Sequence, residues 1–480
     1  MSDRRGYFTA DEVRSAEAEL FSRVPAGMPM RRAAYGLATI VAAELRVLTG
    51  GVAGRTVGLL VGSGDNGGDA LWAGAFLRRR GVAVHAVLLN PERAHREGLA
   101  ALRAAGGRVV ERFEHPDLVI DGIVGISGRG PLRPAAAEII AVLDVPIIAA
   151  DLPSGVDPDT GAVDGPAVRA TVTVAFGAYK PVHALAVPHC GRIVLVPIGL
   201  SLPEPRLAQL DPAGIGARWP VPGPDDDKYS QGVTGVCAGS AKYPGAGVLS
   251  AGAAVAATSG MVRYVGSDTE VLATFPEVIA SQTISETGRV QAWVFGPGAG
   301  TGADARGRLA QLLTTDLPVL VDADGLTLLA VEPALVRDRP AVTVLTPHAG
   351  EFARLTGAAP GDDRVASVRA LAERWGVTVL LKGRATIIAA PGEATLVNDA
   401  GGSWASTAGA GDVLSGILGA LLAAGRPAAW SAAAAARVHA LAANLAAHAD
   451  EPAAAPISAS PLLAHVRPAV RVLRALGDQG

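Results

Sequence analysis

The sequence is poor in sulfur and carries no strong excess of charge. Its two cysteines, Cys190 and Cys237, lie far apart and lack metal-type spacing, so a cysteine-held metal is excluded. They read as small buried thiols in a reducing compartment. The formal charge is only −3 and no basic run occurs, which argues against nucleic acid or an anionic membrane as the main partner. The N-terminus, MSDRRGYFTADEVRSAEAEL, has charges where a signal peptide needs an apolar core. No apolar run is long and clean enough to span a bilayer. The alanine-rich stretch 428–447 carries Arg437 and His439 and reads as a packed helix. Cytoplasm is the default location.

What is present is the material of a globular chain. Hydrophobic residues make up 49% and charged residues 18% of 480 residues. At roughly 150 residues per domain, that length allows two or three cores. Residues 9–46 read as two helices, with Thr9 or Asp11 as a cap. Short apolar runs then alternate with helical stretches: strands are expected at 56–61, 82–89, 118–122, 146–150, 172–176 and 193–196. That alternation is the mark of a doubly wound parallel sheet. Between 201 and 227 the pattern breaks into proline-dense segments, which places the domain boundary between residues 212 and 213. Strands resume at 233–239, 292–296, 318–321, 342–345, 377–382 and 386–390, so the second half reads as a larger α/β domain. The alanine richness reads as compositional.

Two segments carry phosphate chemistry. In Ser406-Thr407-Ala408-Gly409-Ala410-Gly411-Asp412-Val413-Leu414-Ser415-Gly416, small residues lead into Gly411, an acid follows, and an apolar helix begins. A helix N-terminus offers unpaired N–H groups to a phosphate, and Asp412 beside it can take a proton from a hydroxyl. Upstream, strand 56–61 runs into Gly62-Ser63-Gly64-Asp65-Asn66-Gly67-Gly68-Asp69, and a helix is expected from 70 to 80. Strand, glycine turn and helix make a cradle for a pyrophosphate, but not in the GxGxxG form of a dinucleotide dehydrogenase. Two further acid-bearing turns follow expected strands: Asp121 with Gly122-Ile123-Val124-Gly125-Ile126-Ser127-Gly128-Arg129-Gly130-Pro131, and Asp151-Leu152-Pro153-Ser154-Gly155. Each alone could be a capped turn. Together, at successive strand ends, they describe a site.

The first of these motifs resembles the anion-hole segment of the ribokinase-like fold, in the form found in ADP/ATP-dependent NAD(P)H-hydrate dehydratases. The second resembles the GNNGGDG loop of NAD(P)H-hydrate epimerases, with Asp65 for the first Asn and Ala70 for the last Gly. Both in one chain, in this order, are similar to the bifunctional NAD(P)H-hydrate repair enzymes. The resemblance implies a Rossmann-like three-layer epimerase domain over 1–212 and a ribokinase-like dehydratase domain over 213–480. It implies K+ held by Asn66, Asp121 and Ser154. Asp65, Asn66, Gly67, Gly68 and Asp69, with Gly125, Ile126, Ser127, Gly128, Arg129, Gly130 and Pro131, would wall the hydrate. Asp151 would act at the reacting carbon, and Lys180, in Ala178-Tyr179-Lys180-Pro181, could tune it.

In the second half the resemblance runs through Lys228-Tyr229-Ser230-Gln231-Gly232, Tyr243-Pro244-Gly245-Ala246-Gly247, Gly296-Pro297-Gly298-Ala299-Gly300 and Thr346-Pro347-His348-Ala349-Gly350-Glu351. It implies that Ala246, Gly298, His348 and Asp412 meet the hydrate. Lys382, Gly383, Arg384, Ala385 and Thr386, with Gly411, would hold ADP or ATP with Mg2+. The expected reaction phosphorylates a hydroxyl and then eliminates phosphate. NADHX, NADPHX and the nucleotide are the implied partners, and a homo-oligomer is expected. Whether Asp322 and Asp324 serve the metal or cap a helix stays open, as does the choice of ADP or ATP. A small-molecule kinase of the same fold, or a first domain kept only as a binding module, would be the rival readings.

Overall fold

Runs of Val, Ile and Leu that are apolar at every position have no solvent face, so they form strands covered on both sides. That rule accounts for both sheets in the computed structural model, which describes residues 4–258, 260–266, 269–337, 339–449 and 453–478. The chain forms two compact units, Gly6–Arg206 and the part from Leu207 onward joined by Arg4 and Arg5. The division falls a few residues ahead of 212/213. The segment 201–227 is not irregular throughout: it contains a strand, Leu207–Leu210, and a helix, Pro212–Arg218, capped by Asp211. That strand lies beside Thr395–Asp399, so pairing across the fold makes regular what proline density obscured.

With β1 at Arg4–Tyr7, the N-terminal unit holds β2 (Thr56–Val61), β3 (Ala83–Leu88), β4 (Arg108–Val109), β5 (Leu118–Gly122), β6 (Ile147–Ala150), β7 (Val172–Phe176) and β8 (Arg192–Val196). Strands β2 to β8 form one parallel sheet in the order β4-β3-β2-β5-β6-β7-β8. The order reverses between β2 and β5, the place where open sheets bind ligands beyond their strand ends. Helices Met28–Thr49 and Asp65–Arg78 bury Leu37, Val41, Leu71 and Leu77 on one face. Ile139 and Ile140 of helix Pro134–Ala141 cover the other, against Leu60 and Val119. This is the expected three-layer arrangement. Thr9 caps helix Ala10–Arg23 in a reciprocal box with Glu12.

The C-terminal unit carries β9 (Leu207–Leu210), β10 (Val233–Cys237), β11 (Met261–Val265), β12 (Ile279–Ser281), β13 (Ala292–Phe295), β14 (Val319–Val321), β15 (Thr343–Leu345), β16 (Thr378–Leu381), β17 (Ala385–Ala389) and β18 (Thr395–Asp399). Its sheet runs β1-β9-β18-β17-β16-β15-β14-β13-β10-β11-β12. It is parallel from β16 through β12, and antiparallel at β16/β17 and β17/β18. Helices Pro244–Ala257, Ala410–Ala423 and Ala428–His448 pack on one face. The alanine richness proves to be a packing device. A Cβ on Gly416 would lie 2.2 Å from Ser250 O, so two helices touch backbone to backbone there. Ala432 to Ala436 are all buried on the third helix. Among the described residues, no helix is long and apolar enough to cross a membrane.

Candidate active sites in the two units

The loop after β2 is shorter than its sequence suggests. Helix Asp65–Arg78 begins at Asp65 with Gly64 as N-cap, not at residue 70. Asp65, Asn66, Gly67, Gly68 and Asp69 therefore form its first turn. Asn-Gly-Gly is a poor helix former, and tertiary closeness overrides the propensity. A Cβ on Gly62 would sit 1.8 Å from Ile123 O, and one on Gly67 would sit 2.3 Å from Gly62 O. These contacts press the turn against the end of β5.

A cavity of about 1370 Å³ opens above it. Asp65, Asn66 and Asp69 line the cavity together with Gly125, Ile126, Ser127, Gly128, Arg129, Gly130, Pro131 and Asp151. Gly67 and Gly68 do not line it; Gly68 packs against His95 and Met30 instead. Arg129 is already engaged, 3.2 Å from Asp159 and 3.6 Å from Asp157. Glu17, from helix Ala10–Arg23, also faces the cavity, and no motif marks it. Burial, then Asp151, raises the Glu17 pKa. Burial, then Asp151 and Asp65, pushes Asp69 well above the usual carboxylate range, and Asp69 Oδ1 has no protein partner.

Beneath the floor, Asp121 is fully buried. Its Oδ1 accepts from Ser154 Oγ at 2.7 Å and Ile123 N at 3.2 Å, and its Oδ2 accepts from Ser154 N at 2.9 Å. Burial raises its pKa to about 6 against those hydrogen bonds. Asn66 Nδ2 donates to Val124 O and Ala150 O at 2.8 and 2.9 Å, which leaves Asn66 Oδ1 as its acceptor. Of the three residues expected to hold a cation, Asp121 and Ser154 are in contact, and Asn66 is tied by its amide N–H to the backbone at the ends of the same strands, so the set offers oxygen donors with a single carboxylate. Among the described residues, no group of three or more His, Cys, Asp and Glu could hold a metal ion. Such a mixed, weakly charged oxygen set suits a hard monovalent cation better than a tightly held divalent one.

Asp151 follows β6, and Lys180 comes from the turn after β7. Lys180 Nζ donates to Asp151 Oδ1 in a buried ion pair, and also to Phe176 O at 2.9 Å. Phe176 N–H donates to Asp151 Oδ1 at 3.0 Å. Lys180 is 1% exposed, so it is no surface charge but the fixed partner of the carboxylate.

In the C-terminal unit, helix Ala410–Ala423 starts after Gly409, whose φ of 84° a side-chain-bearing residue would resist. Gly411 and Asp412 lie in its first turn. Of the N–H groups expected to face a phosphate, that of Ala410 already reaches Thr407 O at 3.3 Å. Burial, then the negative charge of Asp322, raises Asp412 to about 7, with Lys382 opposing.

Lys382, at the end of β16, turns toward this helix. Its Nζ bonds Asp322 Oδ1 at 2.7 Å and lies 3.5 Å from Glu351 Oε2. A Cβ on Gly411 would come within 3.6 Å of that Nζ. Ser415 donates to Asp322 Oδ2 at 2.8 Å; Ser415 was not among the expected site residues, although its spacing of three from Asp412 puts both on one helix face. Asp322 is therefore an ion-pair anchor, and Asp324 accepts from Gly300 N at 2.8 Å.

The remaining expected residues divide into two groups. Gly383, Arg384, Ala385 and Thr386 form the β16/β17 hairpin, with Thr386 Oγ1 on Gly383 O at 2.9 Å. Arg384 is held by Asp399 and Gly401. His348 is the N-cap of helix Ala349–Thr356: its Nδ1 accepts from Gly350 N at 2.9 Å, and Glu351 returns a bond to His348 N. Its ring is 57% exposed at the mouth of the β15 loop. Gly298, at φ 59°, packs on Ala246 and Tyr243.

Comparison with known proteins covers most of the chain. A family model described as YjeF-related protein N-terminus matches residues 27–182, and one described as NAD(P)H-hydrate dehydratase matches residues 234–463. The bifunctional NAD(P)H-hydrate repair enzyme Nnr of Mycobacterium leprae is 61% identical over 474 residues, which is 98% of this chain and 100% of that protein. The protein of the same description from Mycobacterium tuberculosis is 62% identical over 89% of this chain and 91% of its own. A solved ADP/ATP-dependent NAD(P)H-hydrate dehydratase from Bacillus subtilis, co-crystallised with ATP/Mg2+, aligns with 55% of this chain and 97% of its own at 23% identity and a TM-score of 0.49.

Proposed function

The chain belongs to the bifunctional NAD(P)H-hydrate repair enzymes, and from that premise we propose how its two units divide the repair. The enzyme epimerises the R and S forms of NAD(P)HX and dehydrates the S form to NAD(P)H at the expense of ADP or ATP. One observation carries the division: each unit has its own carboxylate at a strand or helix end with a lysine network beside it. These are Asp151 with Lys180, and Asp412 beside Asp322 and Lys382.

In the N-terminal unit, Asp151 takes the proton of the carbinol hydroxyl as the bond from C6 to the ring nitrogen breaks to give an aldehyde, and passes it to that nitrogen; reclosure on the other face of the carbonyl reverses both transfers. Asp65, Asn66 and the 125–131 segment hold the rest of the hydrate. Asp69, whose pKa burial raises well above the usual carboxylate range, lines the same cavity and would lower the negative charge that meets the diphosphate. Asn66 Oδ1, Asp121 and Ser154 Oγ would hold K+, whose charge would favour the substrate's phosphates.

In the C-terminal unit, Asp412 takes the proton of the C6 hydroxyl as that oxygen attacks the terminal phosphorus of the nucleotide. The bond to the leaving nucleotide oxygen breaks, and the N–H groups around Gly411 stabilise the transferred charge. The ring nitrogen's lone pair then expels the phosphate from C6, and loss of a proton from C5 restores the dihydropyridine. Mg2+, bound chiefly through the nucleotide phosphates, would neutralise the charge that develops there. Lys382 and the hairpin through Thr386 hold the nucleotide, while His348, Ala246 and Gly298 shape the hydrate's side. The proposal places the enzyme in the cytoplasm, where the buried free thiols of Cys190 and Cys237 stay reduced.

Single substitutions test the division. Asp412→Ala should abolish dehydration and spare epimerisation, and Asp151→Ala should do the reverse. Loss of both activities from one substitution in a folded protein would overturn the two-site assignment.

A further inference from the structure

Asp151 occupies a backbone conformation that costs energy. Its φ is 67°, a region side-chain-bearing residues seldom enter. Leu152 N–H donates to Ala150 O at 2.9 Å, so Asp151 is the middle of a three-residue γ-turn of the strained hand. Such a turn persists only where its surroundings over-determine it. Asp151 N–H is tied to Val174 O at 2.8 Å, and its carboxylate to Phe176 N and Lys180 Nζ. The remaining backbone group, the Asp151 carbonyl, meets His183 Nε2 at 2.9 Å.

His183 is buried, and its other nitrogen, Nδ1, accepts from Lys180 N–H at 3.0 Å. A backbone N–H only donates and a carbonyl only accepts, so the two partners fix the ring as the Nε2–H tautomer. Burial, then the Lys180 charge, lowers the His183 pKa to about 4, which agrees with a neutral ring. A single imidazole thus joins the backbone of Asp151 to the backbone of its ion-pair partner.

We propose that His183 is a positioning residue for epimerisation, holding Asp151 in its γ-turn by a hydrogen bond that requires the Nε2–H tautomer. The proposal rests on the epimerase reading of this unit. Without the ring, the Asp151 carbonyl loses its partner and the peptide after Asp151 is free to rotate out of the strained turn. The carboxylate then leaves its line to the reacting carbon. Substrate binding is largely untouched, because apart from Asp151 most of the cavity lining comes from other segments. Turnover should therefore fall while KM holds.

The test uses the full chain and (R)-NADHX without nucleotide, following formation of (S)-NADHX by chromatography. His183→Asn keeps an acceptor near Nδ1 and loses the donor to Asp151; His183→Gln places an amide N–H near Nε2. The Asn variant should lose about 10- to 100-fold in kcat with KM within about twofold. The Gln variant should recover to within about fivefold of the parent, with dehydration of (S)-NADHX unchanged in both. An Asn variant that turns over like the parent would overturn the proposal, as would equal losses in Asn and Gln accompanied by a rise in KM. The ring-nitrogen NMR spectrum of the parent should show a protonated Nε2 and a bare Nδ1; the opposite tautomer overturns it too. A parent that does not epimerise (R)-NADHX at all would instead overturn the epimerase reading beneath it.

Discussion

Asp412 should set the acid limb of dehydration, and its neighbours should move that limb in opposite directions. Burial and the Asp322 charge carry its pKa from 3.8 to about 7, against the pull of Lys382. That rise corresponds to roughly 4 kcal/mol between the two protonation states. A base with that pKa is about one-tenth ionised at pH 6, so kcat/KM there should be about tenfold below its plateau. An ordinary carboxylate would show no loss above pH 5. Asp322→Asn removes the second cause and should shift the limb about one unit toward acid. Lys382→Met removes the opposing cation and should shift it the other way. Recovery of dihydronicotinamide absorbance from (S)-NADHX, with Mg2+ and excess nucleotide between pH 6 and 9, reads these limbs as initial rates. Bound phosphates add negative charge, so the loaded enzyme should titrate at or above the value for the empty site. A rate flat from pH 6 to 9, or two substitutions that move the limb the same way, would refute the reasoning.

Three other consequences follow from the packing and charge of the N-terminal unit. Gly62→Ala drives a Cβ into Ile123 O and should destabilise this unit by about 3 kcal/mol or more, lowering one of two calorimetric transitions while dehydration survives. Lys180→Met leaves Asp151 buried without its cation; a loss of about 3–5 kcal/mol in the same transition, together with loss of epimerisation, is expected, and an unchanged transition would contradict the ion pair's role. Asp69 has a raised pKa in the folded state, so its contribution to stability is present below its unfolded value and is lost as pH rises through the folded one. Asp69→Asn should therefore stabilise the unit more at pH 8 than at pH 5, and the reverse order in thermal melts would be inconsistent with a raised Asp69 pKa.

The parts of this molecule legible in sequence are those where local pattern and tertiary burial agree. Buried strands such as β2, β5 and β7 are largely apolar and end in, or run into, glycines and charged residues, so both the strands and the turns at their ends could be read. Among the described residues, six strands were missed, β1, β4, β9, β11, β12 and β18, each short or interrupted by polar residues. β4 is two exposed residues, β11 carries Arg263, and β9 lies between proline-rich segments. The start of helix Asp65–Arg78 was misplaced because glycines that serve close approach also look like a loop. Site residues inside motifs were visible as types, but their partners were not. That Lys180 is an internal counter-ion, or that Asp322 pairs with Lys382, depends on distances across strands separated by many residues. His183 had no motif to mark it; its meaning lies in which ring nitrogen meets which backbone group.

The most direct test of two independent sites on one chain is recovery of NADH from a mixture of both C6 epimers of NADHX, with Mg2+ and ADP or ATP. The account predicts complete, nucleotide-dependent recovery by the parent. Asp151→Ala should recover only the S share and then a slow tail, and Asp412→Ala should recover nothing while still interconverting the epimers. Recovery without nucleotide, or an Asp151→Ala protein that consumes both epimers as fast as the parent, would contradict it.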